Sequence, residues 1–94
     1  MRLRWTFAAV EDRDAIYDYV EAHNARAATT LDMLFSQRAA ALSGHPFMGR
    51  PGRVQDTREL VVHRNYLLIY DLTDTEIRIL RFLHAARRWS QHQF

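Results

Sequence analysis

The chain has 94 residues, of which 48% are hydrophobic and 26% charged, a length that allows one globular domain with a modest core. It contains no cysteine, which excludes a disulfide framework, a thiol nucleophile and a zinc site built on thiolates. No apolar run approaches the ~20 residues of a membrane span, and the first residues lack the apolar core of a secretory signal. We therefore expect a cytoplasmic protein with no membrane partner.

The formal net charge is only +2, yet all thirteen basic residues are arginines and their distribution is uneven. Residues 1–43 hold five arginines against six acidic residues, whereas residues 44–94 hold eight against five. Guanidinium groups form planar, bidentate contacts with phosphate and carboxylate, so we expect the C-terminal half to contact such groups. Codon bias in a GC-rich genome is an equally good explanation for the absence of lysine. Scatter of surface arginines would also produce a difference of this size.

Residues 2–6 alternate polar and apolar side chains, which predicts a short first strand. A helical pattern follows over residues 8–23, and a second, alanine-rich helix is predicted over residues 25–43. Because only the break at His23 and Asn24 separates them, the two helices should form an antiparallel hairpin.

Residues 44–53 contain all three glycines and both prolines of the chain, which predicts its one long loop. Beyond this loop, residues 57–63, 66–72 and 76–83 are rich in valine, isoleucine, leucine and tyrosine. They predict a three-stranded antiparallel meander whose middle strand, residues 66–72, is apolar on both faces. The order β-α-α-β-β-β predicts an α+β fold. An N-terminal short strand and a two-helix antiparallel hairpin would pack on a mostly antiparallel twisted sheet.

The histidines and carboxylates form no recognisable metal or catalytic motif. None of the five histidines lies three or four residues from another, and the chain has no glycine-rich phosphate loop. Carboxylate pairs such as Glu11 and Asp14 are typical of solvated charges near the start of a helix. We therefore expect no metal ion and no cofactor.

The last predicted strand and the residues after it concentrate groups suited to binding phosphate. The cluster comprises Arg78, Arg81, His84, Arg87, Arg88 and Trp89. His84 is a candidate base, the arginines would stabilise negative charge, and Trp89 would stack on a nucleobase. The alternative is that His84 only ends the strand, while the arginines stay solvated or bind an acidic partner.

Four motifs, taken in order, resemble one family of known proteins. They are Gly49-Arg50-x-Gly-Arg53, Thr57-Arg58-Glu59-Leu60-Val61-Val62, Asn65-Tyr66-Leu67-Leu68-Ile69-Tyr70 and Ile79-Leu80-Arg81-Phe82-Leu83-His84-Ala85-Ala86-Arg87-Arg88-Trp89. The set resembles the RelE/ParE superfamily of toxins from bacterial type II toxin–antitoxin modules, most closely its ParE-like plasmid-stabilisation branch. The resemblance implies one toxin domain over residues 1–94 that inhibits growth and is neutralised by a cognate antitoxin. It also implies that operator DNA is bound only through the toxin–antitoxin complex.

The resemblance leaves two targets open. RelE-like members cut mRNA on the ribosome without a metal, which would make this chain a ribosome-dependent mRNA endonuclease, an mRNA interferase. The resemblance then implies catalytic roles for Arg58, Arg81 and His84, with His84 as the base on the 2′-hydroxyl and with Arg58, Arg81 and also Arg87 neutralising the phosphate. ParE-like members inhibit DNA gyrase instead, and here the target-binding residues would be Arg87, Arg88 and Trp89.

Departures from the nuclease pattern favour gyrase as the target. Ribonuclease members usually carry a basic residue where this chain has Leu67, and lysine or arginine where it has Glu59 and Val61. We therefore expect inhibition of DNA gyrase, with the mRNA endonuclease as the alternative. A third interpretation is a toxin-like fold that has lost toxicity and keeps only antitoxin binding.

Overall fold

The computed structural model of the protein describes residues 1–63 and 65–85, which form two helices and five strands. In chain order the elements are β1 (Arg2–Trp5), α1 (Phe7–Glu21), α2 (Ala25–Ala41), β2 (Arg50–Pro51), β3 (Thr57–His63), β4 (Tyr66–Leu72) and β5 (Glu76–His84). This arrangement confirms the predicted α+β fold, with one very short strand added. No helix within the described ranges is long and apolar enough to cross a membrane.

Each helix begins at a polar side chain that caps its first turn. The Thr6 hydroxyl accepts a hydrogen bond from the backbone N–H of Ala9 at 3.1 Å. The Asn24 side chain does the same for Ala27 at 3.0 Å, so the break predicted there is the N-cap of α2. The two helices pack against each other as the predicted hairpin.

The five strands form one sheet in the order β1-β5-β4-β3-β2, which confirms β4 as the central strand. β1 runs parallel to β5, and all other neighbours are antiparallel. The strand β2 is not predicted from the sequence, which indicates a loop throughout residues 44–53. Its two residues pair with Arg58 and Glu59 of β3, and Pro51 is tolerated because β2 is an edge strand.

The main core lies between the helix hairpin and one face of the sheet. Phe35 of α2 stacks on Phe82 of β5 with ring centroids 4.5 Å apart, and it meets Tyr66 edge-on at 5.9 Å. A smaller cluster that includes Leu67 and Ile69 fills the opposite face. Strand β4 is therefore buried on both faces, as its apolar sequence predicts.

Candidate functional site

Arg81, a catalytic candidate from the sequence, forms an ion pair with Asp12 of α1. Its Nε lies 2.6 Å from Asp12 Oδ2, and its Nη2 lies 2.9 Å from Asp12 Oδ1. Both side chains are only 16% exposed, and hydrogen bonding to Asp12 raises the pKa of Arg81 above its usual value. Asp12 Oδ2 also accepts the backbone N–H of Phe82 at 3.1 Å. The Arg81 guanidinium is thus engaged in joining α1 to β5.

Arg58, the second candidate, points from β3 toward the loop that precedes β2. Its Nη1 donates to the carbonyl oxygen of Gly49 at 2.5 Å and to that of Phe47 at 3.5 Å. The guanidinium carbon also lies 4.9 Å from the centroid of the Phe47 ring, a cation–π contact. Arg58 therefore holds a loop, in addition to any role toward a ligand.

Tyr70 fixes the same loop from the sheet. Its hydroxyl donates to the carbonyl oxygen of Pro46 at 2.8 Å and accepts the N–H of Gly49 at 2.9 Å. Burial raises the pKa of Tyr70 above its usual value, although the hydrogen bond from Gly49 and the charge of Arg58 oppose that rise. A Cβ on Gly49 would lie 2.7 Å from the Tyr70 ring, so only glycine allows this close approach.

Glu59 and Leu67, which depart from the nuclease pattern, are both buried. The Glu59 carboxylate receives Arg50 Nη2 at 3.3 Å and the backbone N–H of Arg53 at 3.0 Å. Leu67 belongs to the apolar cluster on the face of the sheet opposite the helices. Both positions therefore serve the packing of this face, where the ribonuclease pattern has basic side chains.

His84, the third candidate, ends β5 and is exposed to solvent. Its ring meets Tyr66 edge-on at 5.3 Å, and both residues line a groove of about 470 Å³ between α1 and the ends of β4 and β5. Asn65 lies in the same groove. His84 is thus accessible to a ligand.

The structure does not bring the three catalytic candidates together. Arg58 pairs across the sheet with Tyr70, whereas His84 pairs with Tyr66 at the other end of β4. Four residues of strand separate these two positions by about 13 Å along β4. Arg81 lies between them but is bound to Asp12. The three target-binding candidates, Arg87, Arg88 and Trp89, lie outside the described residues.

A second groove, of about 500 Å³, opens where the helix turn meets the turn between β3 and β4. Its apolar lining includes Val20, Leu31 and Leu34, and Arg26 and His63 also line it. Within residues 1–63 and 65–85, no three histidine, aspartate or glutamate side chains are placed to hold a metal ion.

Sequence reasoning missed Asp12, Tyr70 and Phe47. A signal for Tyr70 was available, because a tyrosine inside a strand that is apolar on both faces needs a hydrogen-bond partner for its hydroxyl. The partner, Gly49, lies in the only glycine-rich segment of the chain. Asp12 gave no comparable signal, because acidic residues are common on exposed faces of helices.

The family described as the ParE toxin of the type II toxin–antitoxin system parDE matches residues 3–89. The chain belongs to the ParE toxin family. This membership confirms the superfamily resemblance and implies a cognate antitoxin as the partner of the toxin.

Individual relatives agree with this assignment. The toxin is 35% identical to the protein Y4kP of Sinorhizobium fredii over 91 residues, which cover 96% of this chain and 94% of that protein. It is also 35% identical to Toxin RelE2 of Caulobacter vibrioides, over 88% of this chain and 93% of the relative.

Solved structures give the same fold. A chain of the chromosomal ParDE system of P. aeruginosa superposes with a TM-score of 0.81 at 28% identity, over 89% of this chain and 95% of the other. YafQ of E. coli superposes with a TM-score of 0.67 at 18% identity, over 92% and 96% of the two chains. The second similarity concerns the fold alone.

Proposed function

We propose that this toxin arrests growth by inhibiting DNA gyrase, through binding and without chemistry of its own. The observation that supports this most is the engagement of Arg58 and Arg81, two of the three arginines that the nuclease alternative places on the phosphate. Arg81 is paired with Asp12, and Arg58 is bonded to the loop carbonyls of Phe47 and Gly49. The match to the ParE family and to a ParDE structure supports the same target.

Cleavage of RNA without a metal requires a base and cationic groups converging on one phosphate, each within hydrogen-bond reach of it. The register of β4 keeps Arg58 and His84 about 13 Å apart along the strand. Moving Arg81 onto a substrate would leave the mostly buried Asp12 carboxylate without its cation, with only the Phe82 N–H among these contacts still donating to it. Binding to a protein target requires none of these rearrangements.

The target contact of this proposal includes the residues predicted from the sequence, Arg87, Arg88 and Trp89. A basic, aromatic segment suits an acidic protein surface or the DNA that gyrase holds. The cognate antitoxin would neutralise the toxin by covering this contact, and operator DNA would be bound only by their complex.

A supercoiling assay with purified components tests the proposal. Toxin separated from its antitoxin is titrated into gyrase with relaxed plasmid and ATP, and we expect supercoiling to fall until inhibition is complete. Added antitoxin should restore supercoiling. The double variant Arg87→Ala/Arg88→Ala should inhibit more weakly and with a shallower salt dependence. If the same toxin arrests growth when it is expressed in cells, full supercoiling in the presence of excess purified toxin would exclude gyrase as the target.

A further inference from the structure

The loop of residues 44–49, which we name the Phe47 loop, presents a large apolar side chain to solvent. The Phe47 side chain is 70% exposed, and the neighbouring Met48 is 39% exposed. A single exposed apolar residue is ordinary on a protein surface, so exposure alone carries little weight. The way in which the loop is held gives this residue its significance.

The loop that carries the exposed Phe47 ring is held to the sheet by several hydrogen bonds. Tyr70 makes two hydrogen bonds to the loop, at Pro46 and Gly49, and Arg58 makes two more, at Phe47 and Gly49. The Arg58 guanidinium lies beside the ring, and Gly49 sits where any side chain would collide with Tyr70. A loop fixed at this many points loses little conformational entropy on binding, which is the property of an interface anchor.

Positive charge lies at the foot of the loop. Arg50 has a side chain that is 61% exposed, and Arg53 is exposed as well. Their acidic neighbour Glu59 is buried beneath Arg50, so the outer surface presents guanidinium groups. The partner that complements this surface is a protein with an apolar pocket beside acidic side chains.

The shape of the loop identifies which protein partner fits. The Phe47 ring projects from the loop, whose residues 44–48 also line an open hollow of about 610 Å³. A projecting ring is best complemented by a pocket, which a folded target offers and a single helix or extended segment does not. The groove of about 500 Å³ begins at the first turn of α2, whose 17 residues span about 25 Å before the chain enters the loop. The groove at His84 shares Asn65 and Tyr66 with it. Those grooves are concave and accept a helix or strand of an antitoxin without using the loop.

Nucleic acid fits the loop less well than a protein does. The Arg58 N–H groups point at carbonyl oxygens of the loop, so the exposed guanidinium groups beside Phe47 in the described part of the chain are those of Arg50 and Arg53. Nucleic-acid binding rests on a larger number of phosphate contacts than these two would supply. We propose that the Phe47 loop is the anchor that inserts into an apolar pocket on the target protein, with Arg50 and Arg53 facing acidic groups at its rim. This rests on the proposed function, in which the target is gyrase.

The test compares Phe47→Ala with Phe7→Ala. Phe7 is a matched control because it is 77% exposed, at the start of α1, and away from the loop. Each variant is assayed for growth arrest in cells, for binding to purified gyrase, and for binding to the antitoxin. We expect Phe47→Ala to lose at least tenfold in gyrase affinity and to lose growth arrest, with antitoxin binding unchanged. Phe7→Ala should match the wild type in all three.

The outcomes separate this proposal from the function on which it rests. If the wild type neither binds nor inhibits gyrase, the gyrase assignment fails. In that case the growth arrest caused by Phe47→Ala, compared with that caused by Phe7→Ala, still shows whether the loop contacts the cellular target. If the wild type binds gyrase and Phe47→Ala binds equally well with its fold intact, the loop proposal is wrong. The loop proposal would also be wrong if Phe47→Ala kept its gyrase affinity and instead lost binding to the antitoxin or to a single-stranded oligonucleotide.

A charge variant gives a second, independent measurement. Arg53→Gln removes the exposed cation but keeps the backbone N–H that Glu59 accepts, so the fold should be unaffected. We expect a several-fold loss of gyrase affinity and a shallower dependence on salt. Arg2→Gln, at an exposed position of β1, should change neither. Equal affinities and equal salt slopes for the two variants would contradict a charged rim at the loop.

Discussion

Asp12 and Arg81 lie 69 residues apart in the sequence and form two hydrogen-bonded contacts, of 2.6 and 2.9 Å, in the fold. The same carboxylate accepts the N–H of Phe82, on the edge of β5 beyond the point where β1 ends. One side chain of α1 therefore neutralises a half-buried cation and also satisfies an edge donor of the sheet. Beyond the last residue of β1, the Asp12 carboxylate thus takes the place of a partner strand and covers this part of the β5 edge.

Asp12→Ala should destabilise the toxin by about 3 kcal/mol, because it leaves Arg81 charged and poorly solvated and leaves the Phe82 N–H without its acceptor. Urea unfolding followed by circular dichroism measures the loss. Asp32→Ala is the matched control, because Asp32 pairs with Arg13 at 2.6 Å but is 33% exposed. It should lose about 1 kcal/mol or less. Equal losses in the two variants would show that the Arg81 pair has no special structural role.

Gly49→Ala should destabilise the fold by about 1–3 kcal/mol, because the new Cβ would lie 2.7 Å from the Tyr70 ring and 2.9 Å from the Glu59 carbonyl oxygen. Gly44→Ala introduces the same methyl group where the nearest atom is 4.0 Å away, so it should be tolerated. Differential scanning calorimetry of both variants decides the point. A Gly49→Ala melting temperature equal to that of Gly44→Ala would mean that the loop moves away from Tyr70 without cost.

The buried hydroxyl of Tyr70, which is hydrogen-bonded to the Phe47 loop, predicts a loss of stability at alkaline pH. Burial raises the pKa of Tyr70, so the unfolded chain ionises this phenol at a lower pH than the folded chain. The free energy of unfolding should therefore be constant below about pH 10 and fall above it, by at most about 1.4 kcal/mol per pH unit for this residue. Tyr70→Phe should flatten the decline, measured by urea unfolding from pH 8 to 11. An unchanged decline in that variant would assign it to other groups.

His84→Gln distinguishes binding from catalysis. It keeps the hydrogen-bonding capacity of the side chain but removes the proton-accepting ring, so a general base would lose about 10²–10⁴-fold in rate. As a contact residue His84 should lose only about tenfold in potency, the contribution of one hydrogen bond. The measurement is growth arrest by the wild type and by His84→Gln, each expressed over a range of inducer concentrations. Complete loss of toxicity with an intact fold would favour catalysis.

The long elements followed from the sequence because their patterns are local. The central strand was predicted from five consecutive apolar residues, Tyr66 to Tyr70, and the helix break was predicted at His23 and Asn24, between the two helical patterns. Strand β2 was not predictable, since Arg50 and Pro51 have no strand pattern and pair only because β3 is beside them.

The candidate site shows the same division. His84 was predicted to end a strand and does so, and Arg58 and Arg81 were predicted to lie on strands and do so. The partners of the two arginines were not predictable, because Asp12 and Gly49 are brought to them by tertiary packing across a sheet and a loop. Position along the sequence therefore located these side chains but not the contacts that engage them.

The central claim, that growth arrest comes from gyrase inhibition, is tested most directly in one culture. Toxin is expressed without its antitoxin, and the same cells supply plasmid for topology gels and mRNA for primer extension. We predict relaxed or cleaved plasmid within minutes of induction, with transcripts uncut. Site-specific mRNA cleavage that requires ongoing translation and disappears with His84→Gln, while plasmid supercoiling stays normal, would contradict the account.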